Sequence, residues 1–600
     1  MEQKLMKRKD IDQRYTWRVE DIYPDDAAFE ADLRRGSEYA DRIASYEGRA
    51  AESPETLKQV MDLYEACLKT LQRYGVYAEM KNDEDTGNAA GQALNQRAQA
   101  ESTKVSEKIA FLDPEILALG REKIEEYIRT PGCGLEKYAV TLREMVRLAP
   151  HTREKAAEKL LSSASDMAAV PYNAFSMLSN ADMKFPPVTD ADGNIIQISN
   201  GRFVPLEMSR NRALRKEVFE KFYGRYFEFR NTLAALYDGQ IKQLTFYSKA
   251  RQYGSNFEAA VDQNNVSPAV CDRLISSVHH HMDSFHRYVR LRKRLLGVEE
   301  LHMYDVYVPM VEGYSVSVTY EQAQETALKA LAPLGEEYLS HVREAFRNRW
   351  IDVCENEGKR SGAYSIGVYG VHPYMLLNFN GTLDDIFTLV HEMGHSIHTW
   401  YSDANQTFLN ANYRIFVAEV ASTTNEILLT EYLMGRAKSK KERAYLTNHL
   451  LESFKGTLYR QTMFEEFERK TSEMSEKGVP LTADLLSKTY LDLNQQYFGP
   501  DMVSDPLIAE EWSRIPHFYY NFYVYQYATS FAAAAAIAER ILREGAPAVE
   551  QYKSFLKSGC TSDPVSLLKI AGVDLSTEKP VEDALKLFDK ALEDMEKLAE

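Results

Sequence analysis

His391 and His395 lie four residues apart and bracket Glu392 in the run His391-Glu-Met-Gly-His395. On an α-helix, side chains at this spacing share one face about 6 Å apart along the axis, so two imidazoles can grip one metal ion with the intervening carboxylate beside it. Zinc bound in this way needs a third protein ligand and keeps one position for water. Glu392 is then placed to take that water's proton. An HExxH run also arises by chance, so the surrounding pattern has to carry the argument.

That pattern fits a helix over 384–401. At 100° per residue, Ile386, Val390, Met393, Ile397 and Trp400 form an apolar stripe, and Thr388, His391, His395 and His398 form a polar one opposite. Thr382 suits the N-cap, with Asp384 and Asp385 in the first turn, where the helix dipole favours negative charge.

For the third ligand, His398 reads as a neighbour of the site. The longer pattern HExxHxxGxxH is excluded, because its glycine and final histidine positions hold His398 and Tyr401. Glu419 is the better candidate. In a second helix over 415–433 it shares a face with Thr423 and Glu426, which could hold a ligand imidazole by its other nitrogen, while Val417, Ala421 and Leu428 face away. Just before the HExxH helix, Ala363–Tyr369 and Tyr374–Phe379 read as two strands of a small sheet. Its edge could accept an extended peptide as a further strand, or the strands could simply pack under the helix. Farther on, a Tyr-rich helix over 516–542 would put His517, Tyr520 and Tyr527 in one sector, with Tyr523 beside them, as donors for a developing oxyanion.

The paired runs His391-Glu-Met-Gly-His395, followed by His398, and Phe416-Val-Ala-Glu419 resemble the thimet oligopeptidase-like zinc metallopeptidases, most closely the bacterial oligoendopeptidase F group. Tyr15-Thr-Trp17, Asp21-Ile-Tyr-Pro24 and the length of the chain resemble that group as well. The resemblance implies one zinc per chain on His391, His395 and Glu419, with Glu392 as general base. It also implies a deep channel between two helical lobes that admits short unfolded peptides, and a His with Tyr residues that bind substrate and stabilise the tetrahedral intermediate. His517, Tyr520 and Tyr527 best match these, with Tyr519 and Tyr523 as contenders.

Composition sets the outer bounds. Six hundred residues exceed one compact core, and 44% hydrophobic with 27% charged residues is ordinary for a globular protein. A net charge of -17 opposes nucleic-acid and anionic-membrane partners. Cys67, Cys133, Cys271, Cys354 and Cys560 include no CxxC pair, which suits free thiols in a reducing compartment. The apolar run Phe531–Ala538 is far short of the roughly 20 residues of a membrane span. With no apolar signal segment near the N-terminus, a cytoplasmic protein is expected.

The chain reads as mostly α. Residues 1–190 form an N-terminal helical lobe and 191–600 a catalytic domain, divided at a β-ribbon within 181–206 whose Asp190-Ala-Asp-Gly193 turn lacks calcium-loop spacing. His279, His280, His281 and His286 read as helix surface, since adjacent residues point about 100° apart. The function expected is a zinc endopeptidase of short peptides. The alternatives are a zinc carboxypeptidase or dipeptidyl carboxypeptidase on a similar frame, and a non-catalytic helical peptide-binding protein. Oligomeric state is not legible, and a monomer is compatible with the sequence.

Overall fold

Helix starts follow local capping chemistry along the first stretch of the chain. Asp25 caps α1 (Asp26–Ala44), Ser53 followed by Pro54 starts α2 (Pro54–Asp83), and Asn88 caps α3 (Ala89–Ile109), each by accepting first-turn backbone N–H groups. Their apolar faces meet around Ala40, Ile43, Val60, Cys67, Val105 and Ile109. The computed structural model describes residues 5–311 and 317–600.

Two compact units emerge, each assembled from three stretches of chain. One comprises Met1–Pro150, Ser315–Tyr432 and Ile537–Val573, the other His151–Tyr314, Leu433–Ala536 and Asp574–Glu600. This division does not follow the boundary expected near residue 190. The reason is a shared core: Trp17, Tyr23, Phe29, Tyr74 and Tyr77 pack with Val368, Tyr374 and Leu376, so the N-terminal helices are built onto the residues just before the HExxH helix.

In the second unit, β1 (Pro187–Thr189) and β2 (Ile195–Gln197) form the expected antiparallel ribbon. Asp190 Oδ1 accepts the N–H groups of Asp192 and Asn194 at 2.9 and 2.8 Å, so the acidic run serves its turn. His279 Nε2 lies 2.8 Å from Glu466 Oε2, and His286 Nε2 lies 3.0 Å from the Gln496 carbonyl. These histidines belong to no metal-binding group among the described residues.

The first unit carries a three-stranded sheet. β3 (Ile351–Cys354) and β4 (Tyr364–Ile366) flank the central β5 (Tyr374–Phe379), β3 parallel to it and β4 antiparallel at the edge. β3 is one strand more than the pattern predicts. α4 (Leu383–Asn405) follows the sheet directly, then α5 (Ile415–Met434); α6 (Tyr525–Glu544) comes later in the chain. Among the described residues no helix is long and apolar enough to cross a membrane.

An ion pair staples this sheet. Lys359 Nζ, fully buried, donates to the Cys354 and Leu377 carbonyls at 2.6 and 2.5 Å and pairs with Asp352 Oδ1 at 2.7 Å. Arg8 Nη1 donates to the same carboxylate at 2.8 Å. Burial opposes ionisation of Asp352, but Arg8 and Lys359 outweigh it and lower its pKa. Removing one partner of such a pair strands a buried charge. Asp352→Ala should therefore lose about 3–5 kcal/mol of stability, read as a lower midpoint of urea unfolding.

Candidate metal centre

α4 begins with a reciprocal capping box. Asp385 N–H donates to Thr382 Oγ1 at 3.2 Å, and Thr382 N–H donates to Asp385 Oδ2 at 2.8 Å. Ile386, Val390, Met393 and Ile397 are buried, as their spacing predicts, and His391 and His395 emerge half-buried on another face. His398 departs from the polar stripe. It is buried, stacked on Tyr413 with ring centroids 3.7 Å apart, and burial with His395 nearby depresses its pKa to about 3. It stands outside the metal-binding group as a neutral packing residue.

α5 brings Glu419 to the two histidines. His391 Nε2 and His395 Nε2 are 3.2 Å apart, and Glu419 Oε2 lies 3.4 Å from the first and 3.5 Å from the second. A tetrahedral ion with bonds of about 2.0–2.1 Å has ligand-to-ligand edges of about 3.3–3.4 Å, so these three atoms could hold zinc without rearrangement. Gly394 allows this approach. A Cβ at that position would lie 2.6 Å from both the Ala421 carbonyl oxygen and Ser422 Cα, so α4 and α5 meet backbone to backbone one residue from His395.

The surrounding groups prepare the ligands. Glu426 Oε1 lies 3.1 Å from His391 Nδ1, which leaves Nε2 facing the triangle. Ser422 Oγ donates to Glu419 Oε2 at 3.0 Å. Thr423, on the same predicted face, hydrogen-bonds to neither imidazole. Burial disfavours the imidazolium of His391, but Glu426, Glu392 and Glu419 outweigh it and raise its pKa to about 9. Burial likewise opposes ionisation of Glu419, yet the hydrogen bond to His395 and the two imidazoles hold its pKa near about 2. Glu392 is buried, and burial raises its pKa against the pull of His391 and His395.

The second unit gathers the aromatic residues. The ring of His517 lies 5.5, 6.3 and 5.9 Å from those of Tyr520, Tyr523 and Tyr527. The helix expected over 516–542 is broken. Pro516–Tyr519 form a 3₁₀ turn, Asn521 and Phe522 take φ of 56° and 59°, and α6 starts only at Tyr525. Left-handed backbone costs about 1–2 kcal/mol per non-glycine residue, so the surrounding structure has to enforce it. Tyr519 is buried and stacked on Phe175 at 4.4 Å, which places it in the core, whereas Tyr520 is 42% exposed and shares a 3.3 Å hydrogen bond with the hydroxyl of Tyr172.

Residues 206–587 match Peptidase family M3, and residues 115–185 match Oligopeptidase F. The chain belongs to peptidase family M3. Within it, the sequence is 44% identical to Oligopeptidase PepF of Bacillus subtilis over 594 residues, covering 99% of this chain and 88% of that one. Group B oligopeptidase PepB of Streptococcus agalactiae is 37% identical, with 98% of both chains covered. The crystal structure of oligoendopeptidase-F from Enterococcus faecium is 38% identical, covers 96% of this chain and 99% of its own, and superposes with a TM-score of 0.76. The M3 membership agrees with the family implied by the HExxH and Phe416-Val-Ala-Glu419 runs.

Spacing arguments single out neither Gly394 nor Ser422 nor Tyr172 in this M3 peptidase. Gly394 did carry a signal, since an interior helical glycine costs about 1 kcal/mol relative to alanine and calls for a packing reason. Tyr172 had none. Gly394→Ala should cost about 1–3 kcal/mol of stability through overpacking and weaken zinc binding at least about tenfold by pushing Glu419 away. Glu426→Gln should fold normally yet bind zinc about 10–100-fold more weakly, both measured by competition with a chromogenic chelator.

Proposed function

We propose that the chain is a zinc-dependent endopeptidase that cuts internal bonds of short, unfolded oligopeptides in the cytoplasm. The reading is carried by the triangle of His391 Nε2, His395 Nε2 and Glu419 Oε2, with edges of 3.2–3.5 Å. The M3 match supports it, as do relatives named oligopeptidase and oligoendopeptidase.

Held by those three atoms, zinc would supply a Lewis acid that polarises the scissile carbonyl and acidifies water. Glu392 accepts the proton released and returns it to the departing amine. Its buried site suits this, because a carboxylate with a raised pKa is a stronger base. Glu426 takes the Nδ1 side of His391, so Nε2 is the nitrogen that would give up its proton to zinc. The edge strand β4 lies against α4, with Ser365 Oγ 2.8 Å from Ser396 Oγ, and Gly367 so close to Thr399 that a Cβ there would lie 2.5 Å from its methyl group. A peptide added along that edge satisfies its own backbone groups without particular side chains, which gives broad sequence tolerance.

His517, Tyr520 and Tyr527 serve the substrate carbonyl as donors. Hydrogen bonding to Tyr172, with partial burial, raises the Tyr520 phenol to about 12, so it keeps its proton at neutral pH. Burial, with Arg460 nearby, lowers the pKa of His517 and leaves a neutral imidazole. Both can donate to a developing oxyanion.

Acetylated and amidated oligopeptides of graded length, followed by mass spectrometry, test this reading. Internal cuts that a chelator abolishes and zinc restores are expected. Cleavage that requires a free C-terminus would favour a carboxypeptidase instead. Glu392→Gln should retain zinc while turnover falls about 10²–10⁴-fold; unchanged turnover would remove Glu392 from the mechanism.

A further inference from the structure

The turn that carries Tyr520 is held by two buried side chains of its own unit. Gln240, on the helix Arg230–Ala250, donates its Nε2 to the Tyr519 carbonyl and to Asn521 Oδ1, each at 3.0 Å, and so spans Tyr520. Glu468, on the helix Arg460–Glu476, accepts the Phe522 N–H on Oε1 at 3.0 Å. These bonds fall on the one adjacent pair of non-glycine residues with positive φ among the described residues. Neither residue of that pair is a glycine that would adopt the conformation unaided.

Side chains along the turn divide into two sets. Tyr519 and Phe522 point inward, Tyr519 stacking on Phe175 and Phe522 meeting Phe257 edge-on at 5.1 Å. Tyr520 and Tyr523 gather around His517, with their own rings 6.3 Å apart. A helix would also separate these pairs, since residues three apart share a face, but here the chain is not helical between Tyr519 and Tyr525, so the turn's own backbone sets where Tyr520 and Tyr523 point. Asn521 and Phe522 form the centre of that turn, and Gln240 and Glu468 bond to its backbone and to Asn521.

We propose that Glu468 and Gln240 are positioning residues of the peptidase reaction, which hold Asn521 and Phe522 left-handed so that Tyr520 and Tyr523 face His517. This rests on the reading that His517, Tyr520 and Tyr527 act on the substrate carbonyl. Glu468 acts here as an acceptor and not as a charge. It is buried, it has no cationic partner within ion-pair distance among the described residues, and burial with Glu465 alongside raises its pKa. Glutamine in its place keeps the carbonyl that takes the Phe522 N–H, whereas leucine fills similar space and accepts nothing.

The test compares Glu468→Gln and Glu468→Leu with Tyr520→Phe, Tyr527→Phe and His517→Gln, all zinc-loaded full chains acting on one blocked oligopeptide. Glu468→Gln should stay within about twofold of the unmodified protein, while Glu468→Leu should lose about 10- to 100-fold in kcat with KM and zinc content little changed, the scale expected for misplaced catalytic groups. Should Glu468→Leu fail to fold, Gln240→Met is expected to show the same fall in kcat at unchanged KM. The proposal is overturned if both removals leave kcat intact, if the loss appears only in KM, or if glutamine is as damaging as leucine. Failure of the underlying reading looks different, because then the His517, Tyr520 and Tyr527 variants themselves keep full kcat.

Discussion

The backbone contact between α4 and α5 at Gly394 sets the geometry on which the proposed chemistry depends. With Ala421 and Ser422 against a glycine, the two helices stand closer than any side chain would allow, and only at that distance does the short side chain of Glu419 reach both Nε2 atoms. The histidine spacing is a property of one helix and would survive a small displacement of α5. The third vertex is a property of two helices and would not. A glycine that weakens α4 locally is thus the condition for a closed three-ligand set, in which Ser422 and Glu426 on α5 secure the carboxylate and the imidazole.

The same unit supports the site from behind. The core of Trp17, Tyr74 and Tyr77 against Tyr374 and Leu376 anchors the central strand of the sheet, and Lys359 ties that strand to β3 through carbonyl groups on both. β4 is left as an edge beside α4. Interleaving of the chain follows from this arrangement, since the N-terminal helices complete a core whose other half lies more than 200 residues away in sequence.

Legibility in the sequence tracked the range of the interactions involved. The N-cap at Thr382, the apolar face of α4, the Glu419 and Glu426 face of α5 and the ribbon around Asp190 are set within a few turns of chain, and periodicity with capping chemistry finds them. The Tyr-rich helix was misread because it breaks at Asn521 and Phe522, where the bonding partners Gln240 and Glu468 come from helices distant in sequence that periodicity does not see. β3 escaped notice because a four-residue strand paired in parallel with a distant partner has no turn to announce it. His398 matched the polar stripe by phase, yet Tyr413 from beyond the helix buries it.

The measurement that bears most directly on this account is zinc-edge X-ray absorption of the zinc-loaded protein, read beside its Glu419→Ala variant. One zinc per chain with two imidazole nitrogens and one carboxylate oxygen at about 2.0–2.2 Å is the expected result, with the carboxylate oxygen lost in the variant. A spectrum that Glu419→Ala leaves unchanged, or one with sulfur in the shell, would contradict the claim that contact at Gly394 brings the third ligand to the metal.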